Sequence, residues 1–181
     1  MRTKAIMTVN VLLLAFILWS HFEIQRLQPT GFAVSGLSVG TGVGDIAPYF
    51  KATLVDGTDI TSEKIAGKPV IIYFFASWCP TCREEFETLK AVYPKYSAEV
   101  RFLAIDMDGD SGDAAKYRDS MGYDWDFAVS KEMIIDYEAL RASTTYIISK
   151  DGIILYKKSG SLDKENWEKA LERLSNSSDM F

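Results

Sequence analysis

The chain is poor in the residues that build most metal sites and disulfide scaffolds. Among 181 residues there are 2 cysteines, 1 histidine and 5 prolines, and no proline follows Pro94. Two cysteines cannot make a disulfide framework. They lie close together, as Cys79-Pro80-Thr81-Cys82, and a bridge across so short a loop adds little stability by chain entropy. A tetrahedral zinc site needs two more ligands, which the lone His21 cannot supply, so no metal or cofactor is expected. Covalent haem attachment would need His after Cys82, where Arg83 stands. Asp106 to Asp110 opens like a calcium loop, but Ser111 occupies the required Gly position and Tyr117 the closing Glu position. Basic runs are missing too. With 20 Lys and Arg against 25 Asp and Glu, nothing clusters cations to neutralise phosphates, and nucleic acid is not an expected partner.

What is present is apolar. A hydrophobic content of 48%, with 13% aromatic, is enough for one ordinary core and argues against disorder. Arg2 and Lys4 precede an uncharged run from Ala5 to Ser20, the order of an export signal or membrane anchor. The run spans about 24 Å as a helix, short of a hydrocarbon core of about 30 Å, with Trp19 placed for the interface. Basic residues ahead of the run put the N-terminus in the cytoplasm and the remainder outside. Small residues do not directly follow it, so a retained anchor is preferred to a cleaved signal. Residues 1–26 are read as this anchor or signal, 27–43 as a flexible Gly, Ser and Thr-rich linker, 44–176 as a folded domain and 177–181 as a tail.

Within the domain, Phe50 to Val55 reads as a strand ending at the Asp56-Gly57 turn, and Thr61 to Ala66 as a short helical turn. Val70 to Phe75 is continuously apolar, the mark of a strand buried on both faces. The cysteine turn follows. Pro80 suits the first turn of a helix, and Phe86, Leu89, Val92, Tyr93 and Tyr96 continue it as one stripe that Pro94 kinks or ends. Val100–Ile105 and Trp125–Val129 read as strands, and Ala114–Met121 and Glu132–Leu140 as helices. Thr144–Ser149 and Ile153–Lys158 form a hairpin about Asp151-Gly152, and Asp163 caps a last helix. This order gives an α/β three-layer sandwich, a mixed central sheet flanked by helices, with the N-terminal membrane helix ahead of it. Cys79, at a helix N-terminus, is placed where exposed N–H groups stabilise a thiolate. Cys82 lies one turn further in. Glu85, three residues beyond Cys82, shares its helix face and is the candidate proton acceptor.

Gly44-Asp45-Ile46-Ala47-Pro48, Gly67-Lys68-Pro69, the run from Phe75 to Cys82 and Asp151-Gly152 together resemble the thioredoxin superfamily, and within it the membrane-anchored, extracytoplasmic TlpA-like and ResA-like group, over about Val43 to Leu174. The resemblance implies thiol–disulfide exchange with protein substrates outside the cytoplasm, as a reductant fed by a membrane electron donor. An oxidase or isomerase, or a redox-sensing or metal-holding module, is the alternative. It implies that Cys79 attacks and Cys82 resolves as a redox-active disulfide pair. It also implies that Trp78 flanks the sulfurs, that Pro80 and Thr81 tune them, and that Glu85 is functional. A peroxidatic cysteine would want Thr at position 76, which is Ala76. Two positions depart from the pattern. The acid often found six residues before the first cysteine is Tyr73, which leaves that base absent and is otherwise read as a core aromatic. The cis-proline facing the cysteines is replaced by Ser143, with a trans Ala142–Ser143 bond expected and the Ser143 hydroxyl placed to reach the Cys79 sulfur.

Overall fold

The computed structural model describes residues 38–176. The expected membrane segment and tail lie outside them, and no helix among the described residues is long and apolar enough to cross a membrane. The sheet is built around the apolar run Val70–Phe75 (β3), in which every side chain is buried. Alternation along the strand sends Ile71, Tyr73 and Phe75 into one core and Val70, Ile72 and Phe74 into another.

On either side of β3 lie Arg101–Asp106 (β4, parallel) and Thr144–Ile148 (β6, antiparallel). Lys51–Leu54 (β1), Asp59–Thr61 (β2), Asp126–Val129 (β5) and Ile154–Ser159 (β7) complete a seven-stranded mixed sheet in the order β2-β1-β5-β4-β3-β6-β7. Pro80–Val92 (α1) and Lys164–Asn176 (α4) cover the first core, and Tyr117 of Ser111–Met121 (α2) packs against it. Met133 of Lys131–Asp136 (α3) and Ile65 of a 3₁₀ turn at Glu63–Ile65 cover the second. Pro94 stands in a separate 3₁₀ turn after α1, because its missing N–H and its ring cannot continue the ladder.

Two expectations change. The segment after Asp56-Gly57 contains a short edge strand, β2, paired to β1 in register Ala52–Ile60, ahead of the 3₁₀ turn. Three residues are too few to show an alternating pattern. Residues 38–43, read as linker, are hydrogen-bonded to the fold: the Ile46 N–H donates to the Ser38 carbonyl, and the Thr41 hydroxyl donates to Glu138. A Cβ at Gly40 or Gly42 would come within 2.5 or 2.9 Å of the Asp45 carboxylate, which would have to move.

Phe86 of α1 is fully buried and meets seven aromatic rings, from Tyr73, Phe75, Phe102, Tyr117, Tyr123, Trp125 and Phe127. It is the point at which helix, sheet and α2 interlock. Phe86→Ala should cost about 3–5 kcal/mol of unfolding free energy, measured by urea denaturation with an unchanged slope. A loss below about 1 kcal/mol would show that the cluster collapses around the gap.

Candidate active site

The cysteine turn sits where β3 ends and α1 begins. Cys79 is the N-cap residue in extended conformation and Pro80 is in the first helical turn. The Cys82 N–H donates to the Cys79 sulfur at 3.2 Å, so the sulfur does the work of a capping oxygen. Cys79 retains 9% exposure and Cys82 none, and both are thiols. Burial, then the hydrogen bond with Cys79, pushes the Cys82 thiol up to about 12. Thr81 is half-buried, while Pro80, Arg83 and Glu84 are exposed, as a solvated helix face requires.

Trp78 is 73% exposed, yet it is not loose. Its indole N–H donates to Asp108 Oδ1 at 3.0 Å, and the Ser77 N–H and hydroxyl both donate to Asp108 Oδ2. Asp108 therefore pins the turn before Cys79 and presents the indole as a fixed apolar surface. This role belongs to the acidic loop that opens like a calcium site. At the end of β4, where that loop begins, Asp106 is buried, with Oδ1 accepting from the Asp108 N–H and Oδ2 unpartnered. Burial pushes its carboxyl up to about 6.

Glu85 is 2% exposed. The Tyr73 hydroxyl (from β3) and the Ser143 hydroxyl each donate to its Oε2 at 2.5 Å, and the Leu162 N–H donates to Oε1 at 2.6 Å. All three bonds are accepted by Glu85, which matches the acceptor-only inventory of a carboxylate. Ser143 is thereby placed away from its expected partner: its hydroxyl bonds Glu85, not the Cys79 sulfur. Its backbone explains the departure from proline. No described peptide bond is cis, and Ser143 has φ +62°, a left-handed conformation that proline's ring forbids. Its N–H donates to Phe74 O at 2.9 Å and its carbonyl accepts from Gly160 at 2.7 Å, holding a conformation that costs about 1–2 kcal/mol. Ala142, beside it, is half-buried.

Tyr73 and the Leu162 N–H are the members of this cluster that sequence reading missed. The signal for Tyr73 was its position, six residues before Cys79, where an ionisable group is often found.

A buried dithiol at a strand-to-helix junction, inside a mixed sheet layered by helices, defines the class as a thiol–disulfide oxidoreductase of thioredoxin-like fold. The chain belongs to the AhpC/TSA family, whose pattern matches residues 43–157. It is 31% identical over 137 residues to the thiol-disulfide oxidoreductase ResA of Bacillus thuringiensis subsp. konkukian, covering 73% of this chain and 78% of that one. It is 31% identical over 144 residues to the thiol:disulfide interchange protein DsbE of Tatumella citrea, covering 74% of each. Its fold is that of a thioredoxin-family thiol:disulfide interchange protein from Chlorobium tepidum, with TM-score 0.65 at 22% identity over 74% of this chain and 98% of that one.

The raised Cys82 thiol gives a direct check. In Cys79→Ser, the far-ultraviolet thiolate absorbance should stay flat up to about pH 9.5, above the ordinary thiol midpoint of about 8.5. A transition complete by about pH 9 would contradict the buried, thiol-held Cys82.

Proposed function

We propose that this chain is a membrane-tethered, extracytoplasmic reductant of disulfides in protein substrates, recharged by a membrane electron donor. Cys79 is the attacking sulfur: it is the more exposed of the pair and receives an N–H at a helix start. Cys82 resolves the mixed disulfide from beneath. Glu85 accepts the proton that Cys82 must lose, since a thiol pushed up to about 12 does not ionise unaided at neutral pH. Trp78 offers substrates a fixed aromatic surface beside the attacking sulfur.

The reductant direction is supported by the buried Glu85 carboxylate one helical turn beyond Cys82, which can take the resolving thiol's proton each time the dithiol passes its electrons to a substrate disulfide. The tether rests on the charge order of Arg2 and Lys4 ahead of the apolar run from Ala5 to Ser20.

With the full chain in detergent micelles, dithiothreitol-driven reduction of insulin should proceed well above the rate with dithiothreitol alone, and Cys79→Ser should abolish the excess. The Cys79–Cys82 potential, measured against glutathione and dithiothreitol buffers, should lie at or below about −200 mV. A value near −120 mV, the region of strong oxidants, would overturn the reductant direction.

A further inference from the structure

The two positions at which the sequence departs from its relatives' pattern, Tyr73 and Ser143, meet at one atom. Tyr73 lies on β3 and Ser143 on the loop before β6, yet both hydroxyls donate to Glu85 Oε2 at 2.5 Å. Glu85 and Cys82 are one turn apart on α1, both buried, and Tyr73 stands across from that turn with its ring 5.1 Å from Phe86. We propose that the Tyr73 hydroxyl is a proton relay between the Cys82 thiol and Glu85 Oε2, with Ser143 as the positioning residue that holds the carboxylate in line. The proposal rests on the oxidoreductase reading above and adds two residues to it.

The surroundings suit a relay. The groups facing Glu85 are Cys82 on its own helix, Tyr73 from β3, Ser143 from the β6 loop and the Leu162 N–H ahead of α4. None of the ion pairs among the described residues includes Glu85. Its carboxylate is held by neutral donors alone, so it is free to take up a proton without breaking a salt bridge. Tyr73 and Cys82 lie in the same buried core cluster, and desolvation first and then the Glu85 charge push the Tyr73 phenol far up. Tyr73 thus does not ionise on its own. It passes one proton on as it receives another.

The step begins from the mixed disulfide of Cys79 with a substrate sulfur. The Cys82 sulfur attacks the Cys79 sulfur. The Cys79–substrate S–S bond breaks as the Cys79–Cys82 bond forms, and the electron pair leaves with the substrate thiolate. The Cys82 proton passes to the Tyr73 oxygen as the Tyr73 proton passes to Glu85 Oε2. The substrate disulfide is the oxidant, the dithiol is the reductant, and nothing else is consumed. When a donor thiolate later opens the Cys79–Cys82 bond, the same path returns the proton to Cys82.

Stopped-flow reaction of the reduced full chain in micelles with the chromogenic disulfide dithionitrobenzoate separates the two steps. The first thionitrobenzoate is released by Cys79 attack and the second by Cys82 resolution. In Tyr73→Phe, the ratio of second-phase to first-phase rate should fall roughly 10²-fold, the scale of general acid–base catalysis. Ser143→Ala should lower it several-fold and shift its pH profile. An unchanged ratio and pH profile in Tyr73→Phe would overturn the relay and leave the oxidoreductase reading intact. Absence of the first phase in the wild-type chain would sink that reading instead. If Tyr73→Phe does not fold, the wild-type second phase still decides. Its rate in mixtures of light and heavy water should curve with deuterium fraction, as two protons in flight require, and a straight line would overturn the relay.

Discussion

A carboxylate at 2% exposure has to be satisfied by donors or it destabilises the fold by several kcal/mol. Glu85 meets that demand with three elements: the Tyr73 hydroxyl from β3, the Ser143 hydroxyl from the loop before β6 and the Leu162 N–H ahead of α4. The requirement therefore fixes where α1 sits on the sheet, how the β6 loop turns, and where the chain from β7 enters the last helix. The same requirement places a buried carboxylate one helical turn beyond Cys82. The proton-acceptor role proposed for Glu85 would put structural need and chemical use on one side chain.

The cost is visible in the loop. Ser143 adopts a left-handed backbone that non-glycine residues seldom take, and it is held there by bonds from both of its backbone polar groups and its hydroxyl. Strain of this kind persists only where the surroundings over-determine it. Proline at 143 would lose the N–H bond to Phe74 and could not reach φ +62°, so a proline there would require a different loop. The replacement of proline and the hydroxyl clamp on Glu85 are one structural solution. On the other flank, Asp108 fixes Ser77 and Trp78, so the turn that carries Cys79 is held from both sides.

Much of this was legible locally. The six-residue apolar run of β3, Pro80 after Cys79, the helix stop near Pro94 and the Asp151-Gly152 hairpin are patterns that periodicity and turn chemistry reveal. The thiols could be located from spacing alone. What was not legible depends on pairings across the chain. Tyr73 reads as one more core aromatic, because its hydroxyl's partner arrives from a different element 12 residues on. Ser143 meets Glu85 across 58 residues, and Trp78 meets Asp108 across 30. Burial of the Glu85 face follows from α4 closing over α1, which no local window contains. The edge strand β2 escaped for a different reason, being too short to carry a period.

The central claim is that Tyr73 and Glu85 act as one unit on Cys82, and a double-mutant cycle tests it most directly. The resolving rate of the Cys79 mixed disulfide would be measured for the wild type, Tyr73→Phe, Glu85→Gln and the double variant. The account predicts that the double variant is no slower than Glu85→Gln alone, because the relay has no function without its acceptor. Effects that multiply, with the double variant slower by the product of the two single losses, would contradict it.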